Sequence, residues 1–255
     1  MRSIVLLIDD SDLSRIVYHS LAEEFHIEAV VREMRVPRVT FLKRRLKRFG
    51  WRILLGQIIF AKCIVPLLRL ESLRRRADIL RQWRLDCTPI TAHKIIDVSS
   101  INSDQVVMLL QQKSPRVVIV NGTRILEEKL LKATSSVILN THIGITPLYR
   151  GVHGGYWALA SGDPHNFGVT VHKIDSGIDT GEIVASVIIT PAKSDNFVTY
   201  PLLQIARAIP LLKQAIRDAI NGSSHVFPPP IGTSRLWSHP TATEYLRNRF
   251  VFNIR

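Results

Sequence analysis

Five consecutive apolar residues, Ile4 to Ile8, run directly into Asp9-Asp10, and this feature narrows the fold most. The run is too short for the apolar region of an export signal and reads as a buried strand. Similar segments recur along the chain. Ile27–Val31, Lys94–Val98, Arg116–Val120, Ser136–Leu139, Gly168–Ile174 and Ile183–Thr190 all read as strands. Leu13–Phe25, Ser103–Gln112, Glu127–Leu131 and Gly151–Ala160 read as helices, with Ser103 at a cap position. Such alternation predicts an α/β fold with a mainly parallel sheet.

Residues 1–190 carry this alternation and are expected to form the catalytic domain. Near Pro191 the character changes, so residues 191–255 are expected to be a small C-terminal helical and extended region. Tyr200–Ile220 has helical periodicity in Leu203, Ala206, Leu211, Leu212, Ala215 and Ala219. Pro201 suits a first helical turn, whereas Pro210 is expected to kink or split the helix.

The chain has 255 residues, 46% hydrophobic and 22% charged, which is ordinary globular composition. Cys63 and Cys87 are too few for a disulfide framework or a cysteine zinc site. No other cluster reads as a metal site, so no metal is expected. These features suit a reducing compartment, and the expected localisation is cytoplasmic. The longest apolar stretch, Ile53 to Leu68, is interrupted by Lys62 and Pro66. A buried helix is the preferred reading over a membrane span. Contact with a membrane surface stays open, because basic residues flank the stretch.

The net charge is +13, and its distribution says more than its size. Between Arg32 and Arg84 there are 16 basic residues and three acids, and the rest of the chain is balanced. Such a block attracts an anion: a nucleotide diphosphate, a nucleic acid or an anionic membrane face. Most of its individual charges are expected simply to face water.

The central third holds the chemistry-bearing residues. Asn140 and His142 follow the apolar strand Val137–Leu139, one residue apart, and in extended backbone they project to one face. An amide can donate to a developing oxyanion, and an imidazole exchanges protons near neutrality. Asp179 lies in the turn Gly177-Ile178-Asp179-Thr180-Gly181, from which a carboxylate could orient the histidine. Each signal alone is common in structural contexts. Each nevertheless sits at or after the end of an apolar strand, where open α/β sheets bind ligands.

In order and spacing, three blocks resemble the formyltransferase superfamily that uses 10-formyltetrahydrofolate. They are Arg124-Ile125-Leu126, then Asn140-Thr141-His142 with Pro147, Arg150 and Gly151, then Ile178-Asp179-Thr180-Gly181. The resemblance runs from about Arg116 to Thr190; the family pattern often has serine where Gly144 stands. It implies a Rossmann-like formyltransferase fold and the catalytic trio Asn140, His142 and Asp179. It also implies 10-formyltetrahydrofolate as formyl donor, held between Arg124-Ile125-Leu126 and a loop with Asp175, Gly177 and Ile178. Asn140 and a protonated His142 would donate to the oxyanion, with His142 and Asp179 shuttling protons.

The acceptor follows partly from absences. Asp9-Asp10-Ser11-Asp12 carries no glycine-rich phosphate loop, which disfavours a glycinamide ribonucleotide acceptor. About 65 residues after Pro191 barely accommodate the extra barrel of transfer-RNA enzymes, so a methionyl-tRNA formyltransferase-like enzyme using the basic block is the alternative. The segment Tyr149-Arg150-Gly151-Val152-His153-Gly154-Gly155-Tyr156-Trp157 and the tail Trp237-Ser238-His239-Pro240-Thr241 resemble the sugar N-formyltransferases most. Length and the basic insertion suggest those acting on GDP-perosamine, a 4-amino-4,6-dideoxy sugar of O-antigen and lipopolysaccharide synthesis. The expected partner is then a nucleotide-linked amino sugar rather than a nucleic acid, with Arg150 at its site. Tyr149, Tyr156 and Trp157 would line its pocket or, about equally, fill the core. An anionic membrane surface and a homodimer remain open as further partners.

Overall fold

The computed structural model of the chain describes residues 3–223 and 225–255. Strands β1 (Ile4–Ile8), β2 (Ile27–Glu33), β3 (Ile95–Val98), β4 (Val117–Asn121), β5 (Val137–His142), β7 (Gly168–Lys173) and β8 (Ile183–Ile188) form one sheet in the order β3-β2-β1-β4-β5-β7-β8. From β3 to β5 every pairing is parallel; β7 and β8 complete the sheet antiparallel. The expected α/β class is therefore realised, with two antiparallel strands at one edge.

Alternation along β1 explains the layering. Ile4, Leu6 and Ile8 enter one apolar cluster with helix α1 (Asp12–Ala22) and the long helix α8 (Tyr200–Asn221). Val5 and Leu7 enter a second cluster with Val106 and Leu110 of α5 (Asp104–Lys113) and Leu130 of α6 (Glu128–Lys132). A strand buried on both faces must be apolar throughout, which is why Ile4–Ile8 contains no polar residue.

The C-terminal residues join this same body. Helix α8 packs against β7, β8 and α1, and its apolar stripe belongs to the main core. Pro210 does not split it: the helix runs unbroken from Tyr200 to Asn221. Pro210 lies on the exposed side, while Ile205, Ala208, Leu212 and Ile216 are buried beneath it. That packing outweighs the local cost of one missing backbone donor. Beyond α8, β9 (Arg235–Trp237) pairs in parallel with β6 (Tyr149–Gly151), and α9 (Ala242–Val251) ends the chain.

The basic segment forms an outlying helical layer. Helix α2 (Arg38–Ile59) is interrupted at Gly50, whose φ of 78° and ψ of 167° are open to glycine but not to a helix. A π-helical turn, Phe60–Ile64, leads into α3 (Val65–Glu71) and then α4 (Leu73–Gln82). Pro66 has no N–H, and its ring would strike the carbonyl four residues earlier, so the turn before it widens. The expectation of a buried helix over Ile53–Leu68 is overturned. Only Gln57, Phe60 and Leu68 are fully buried there, because the domain covers one face of the helix and leaves the rest bare.

Candidate active site

Strand β5 changes character halfway along. Val137 and Leu139 pack into the main core, and Ile138 closes the second cluster on the opposite face. Asn140 and His142 continue the face of Ile138, beyond the reach of α6. Neighbouring β7 pairs with β5 so that Asn140 faces His172 and His142 faces Thr170. Val169 and Val171 of β7 serve the core, leaving Thr170 and His172 on the same face as Asn140 and His142. Four polar side chains thus share one patch at the end of the apolar packing.

Asp179 reaches this patch from the loop after β7. Its φ is +52°, a left-handed conformation that an aspartate adopts more readily than most residues. The carboxylate accepts the Gly151 N–H at 2.8 Å. Its Oδ2 stands 3.5 Å from His142 Nδ1, and its Oδ1 3.6 Å from His172 Nε2. Asn140 Nδ2 donates to His172 Nε2 at 3.1 Å, which leaves His172 Nδ1 to donate to the Lys173 carbonyl at 2.8 Å. The structure therefore brings Asn140, His142 and Asp179 together, around a fourth member, His172.

Electrostatics assigns states to these groups. Burial would raise the Asp179 pKa, but His172, His142 and the Gly151 N–H outweigh it and hold the carboxyl at about 2. Burial lowers the His142 pKa below the ordinary histidine range, and the opposing pull of Asp179 and the Tyr149 carbonyl does not compensate. His142 is 5% exposed, and its Nε2 donates to the Tyr149 carbonyl at 2.7 Å. His142 thus sits between two acceptors, the Tyr149 carbonyl at Nε2 and the Asp179 carboxylate at Nδ1.

The other residues singled out in the sequence fall into two groups. Arg124, Ile125 and Leu126 follow β4 as an irregular segment. Its anchor is Glu33, the last residue of β2, which is buried. Glu33 accepts Ile101 N–H at 2.7 Å and Arg124 N–H at 2.9 Å, and lies 3.0 Å from Arg124 Nε. Ile125 is 56% exposed and Leu126 buried. Asp175 caps its own loop by accepting Gly177 N–H and the Thr180 hydroxyl. Arg150 donates to the Ile178 carbonyl at 3.3 Å and to Ser234 Oγ at 2.9 Å, tying that loop to the tail.

Tyr149, Tyr156 and Trp157 point elsewhere. The Tyr149 hydroxyl donates to Asp163 at 2.8 Å, and its ring stacks with Trp237. Tyr156 is buried, accepts Asn248 Nδ2 at 2.9 Å and packs against Tyr245; Trp157 stacks on Trp237 and donates to the Ser238 carbonyl. All three pack against neighbouring side chains. Two sizeable cavities, about 620 and 710 Å³, are lined by none of Asn140, His142 and Asp179. Among the described residues no group of His, Cys, Asp or Glu could hold a metal ion.

Two participants were missed in the sequence. His172 stands seven residues before Asp179, but its role depends on an antiparallel pairing that spacing does not announce. Glu33 reads as an ordinary strand-end carboxylate. Its signal is visible only once the loops after β3 and β4 are seen to meet it.

Known proteins resemble this chain in sequence and in fold. A family model described as formyl transferase matches residues 82–200. The methionyl-tRNA formyltransferase of Finegoldia magna is 31% identical over 103 residues, covering 40% of this chain and 32% of that protein. The match thus spans about a third of the length of such curated relatives. A likely sugar N-formyltransferase from Mycobacterium tuberculosis superposes with a TM-score of 0.57 at 15% identity, covering 92% of this chain and 75% of that one. The N-formyltransferase of Helicobacter canadensis, solved with folinic acid and dTDP-3-aminofucose, superposes with a TM-score of 0.54 at 14% identity, covering 91% and 70%. At these identities the structural likenesses establish the formyltransferase fold, and the family model covers the stretch that carries Asn140, His142, His172 and Asp179.

Proposed function

We propose that this chain is an N-formyltransferase that moves a formyl group from 10-formyltetrahydrofolate to the amine of a nucleotide-linked amino sugar. The observation that carries the reading is the convergence of Asn140, His142, His172 and Asp179 on one patch of β5 and β7. The folate, when bound, supplies the formyl carbon. The exposed Ile125 beside the braced Arg124–Leu126 segment, and the Asp175–Asp179 loop opposite, suit a flat ring system that needs one apolar wall and backbone partners.

The chain's own groups divide the work. Acyl transfer to an amine develops an oxyanion, and the Asn140 amide is the donor best placed for it. Asn140 Nδ2 donates to His172 Nε2 at 3.1 Å, and Asp179 Oδ1 stands 3.6 Å from the same nitrogen, so His172 holds both groups at the patch. Asp179, ionised throughout the working range, stands 3.5 Å from His142 Nδ1 as the acceptor for any proton that nitrogen takes up. His142 fixes the loop at Tyr149 and so positions Gly151 against Asp179.

The sugar nucleotide reading draws support from the neighbour solved with dTDP-3-aminofucose. We take the acceptor to be the C4 amine of a 4-amino-4,6-dideoxy sugar, with GDP-perosamine first among candidates and Arg150 nearest its phosphates. Incubation of the protein with GDP-, dTDP- and UDP-linked amino sugars should yield a product one formyl group heavier, only with 10-formyltetrahydrofolate present. Asn140→Ala and Asp179→Asn should each lower turnover by roughly 10²–10³-fold. Unchanged turnover in both variants would refute the site. A second reading, formylation of methionyl-tRNA, has the sequence likeness over 103 residues in its favour. Charged methionyl-tRNA offered in the same assay decides between them.

A further inference from the structure

We propose that the segment Arg38–Glu71, with the exposed end of α9, docks flat on an anionic phospholipid bilayer. The inference rests on this layer alone and stands whether or not the chain transfers formyl groups. An 18-residue window here reaches a mean hydropathy of 1.9, yet only 17% of it is buried. Trp51, Leu55, Ile59, Leu67 and Leu70 face away from the domain, with Trp51 63% and Leu70 66% exposed. An apolar patch this extensive on a folded domain marks a partner surface.

Charge selects the partner. On the half of α2 before Gly50, Val39, Leu42, Leu46 and Phe49 share one helical stripe, while Lys43, Arg44, Lys47 and Arg48 occupy the other side. That is the composition of a helix lying in a membrane interface. The available carboxylates pair instead with Arg32, Arg75, Arg76 and Arg81. Among the described residues none pairs with the cations from Arg38 to Arg69. The groove between this layer and the domain, about 620 Å³, is lined on the layer's side by Phe41, Leu54, Ile58 and Val65 with Arg38, Arg45, Lys62 and Arg69, on the domain's side by residues such as Phe197, and by no acidic side chain. The apolar surface continues onto α9, which packs against α2 and exposes Phe250, Val251 and Phe252.

The layer lies on the membrane rather than crossing it. Gln57, Phe60 and Leu68 bind the second half of the helix to the domain, Gln57 donating to the His239 carbonyl at 2.7 Å. A helix held along one face by a polar domain cannot be surrounded by lipid. Arg45 donates to Gln57 Oε1 and packs against Phe41 and Phe49, so the first half is held beside the second.

The test is co-sedimentation of the full chain with phosphatidylcholine vesicles, with and without phosphatidylglycerol. Binding should require phosphatidylglycerol and weaken, without vanishing, as salt rises. Converting Lys43, Arg44, Lys47 and Arg48 to Glu should lower the partition coefficient at least a hundredfold, since each cation lost near the surface costs roughly fivefold. Trp51→Glu with Leu55→Glu and Leu70→Glu should abolish binding. These positions are exposed, so thermal unfolding and circular dichroism should match wild type and exclude misfolding. A milder comparison keeps the fold out of question: brominated lipid should quench wild-type fluorescence more than that of Trp51→Phe. Absence of phosphatidylglycerol-dependent binding would overturn the proposal, as would variants that sediment like wild type. A wild-type dimer that the Trp51, Leu55 and Leu70 changes dissociate, with no vesicle binding, would assign the face to a second copy instead. Binding of RNA that survives the apolar changes, without vesicle binding, would assign it to nucleic acid.

Discussion

Asp179 shows how a single residue can couple the site to stability. Its carboxyl titrates at about 2 in the folded chain against 3.8 ordinarily, so the folded state favours the ionised form. The resulting stabilisation, about 2 kcal/mol, is complete above pH 3.8 and is lost as pH falls toward 2. Thermal unfolding followed between pH 5 and 2 should show this acid slope, and Asp179→Asn should flatten it. His153 and His239 act earlier on the pH scale. Burial holds them at about 3 and about 4 against 6.5, and each repelling neighbour, His239 for His153 and Arg45 for His239, pushes the same way. They face one another at 3.0 Å as a neutral pair. The unfolded chain therefore takes up protons below pH 6.5 that the folded chain refuses, and stability should decline from there toward pH 4. His239→Asn should lessen that decline; an unaltered slope would show that other groups cause it.

At the scale of elements, the short pairing of β6 with β9 governs the site. Gly151 has φ +90°, and a Cβ there would stand 2.4 Å from the Trp237 carbonyl oxygen. The same residue donates its N–H to Asp179. Gly151→Ala should therefore cost about 1–3 kcal/mol in backbone strain alone and, by parting β6 from β9, lower turnover with it. Calorimetry and steady-state kinetics on one preparation check both halves. The loops after β3 and β4 meet at Glu33 in a similar way. Glu33→Gln offers only one acceptor oxygen to the Ile101 and Arg124 N–H groups, leaving one buried donor unmet at a cost of about 1–3 kcal/mol. Because Glu33 braces the proposed folate wall and touches no reacting atom, KM for 10-formyltetrahydrofolate should rise while kcat changes little.

Across the whole molecule, the basic layer is attached to the sheet domain through few polar links. Arg75 of α4 forms a bidentate pair with Asp195, whose side chain is fully buried, and Asn196 donates to Ser72 Oγ at 2.7 Å. Asp195 also accepts the Ala192 N–H at 2.7 Å, so one carboxylate organises the turn before α8 and the root of the layer. Asp195→Ala leaves the half-buried Arg75 without its partner and should cost about 3–5 kcal/mol. Limited trypsin digestion should then cut first between Arg38 and Arg69, while the sheet domain resists. Uniform digestion would mean that the layer and the sheet unfold as one unit.

Local pattern was enough to determine several features. Uninterrupted apolar runs such as Ile4–Ile8 and Val117–Val120 can only be strands covered on both faces, which made the α/β class legible. Asn140 and His142 had to share a face, since strand geometry alternates every residue. Gly50 broke its helix as its freedom at positive φ allows. What depended on distant partners was decided only by the tertiary structure. His172 joins the site because β7 runs antiparallel beside β5, and the lowered pKa of His142 follows from its burial. Pro210 continues a helix because the sheet beneath holds it. Ile53–Leu68 looks the same in sequence whether a core or solvent surrounds it; hydrophobicity measures what a residue prefers to leave, and only packing shows what it meets.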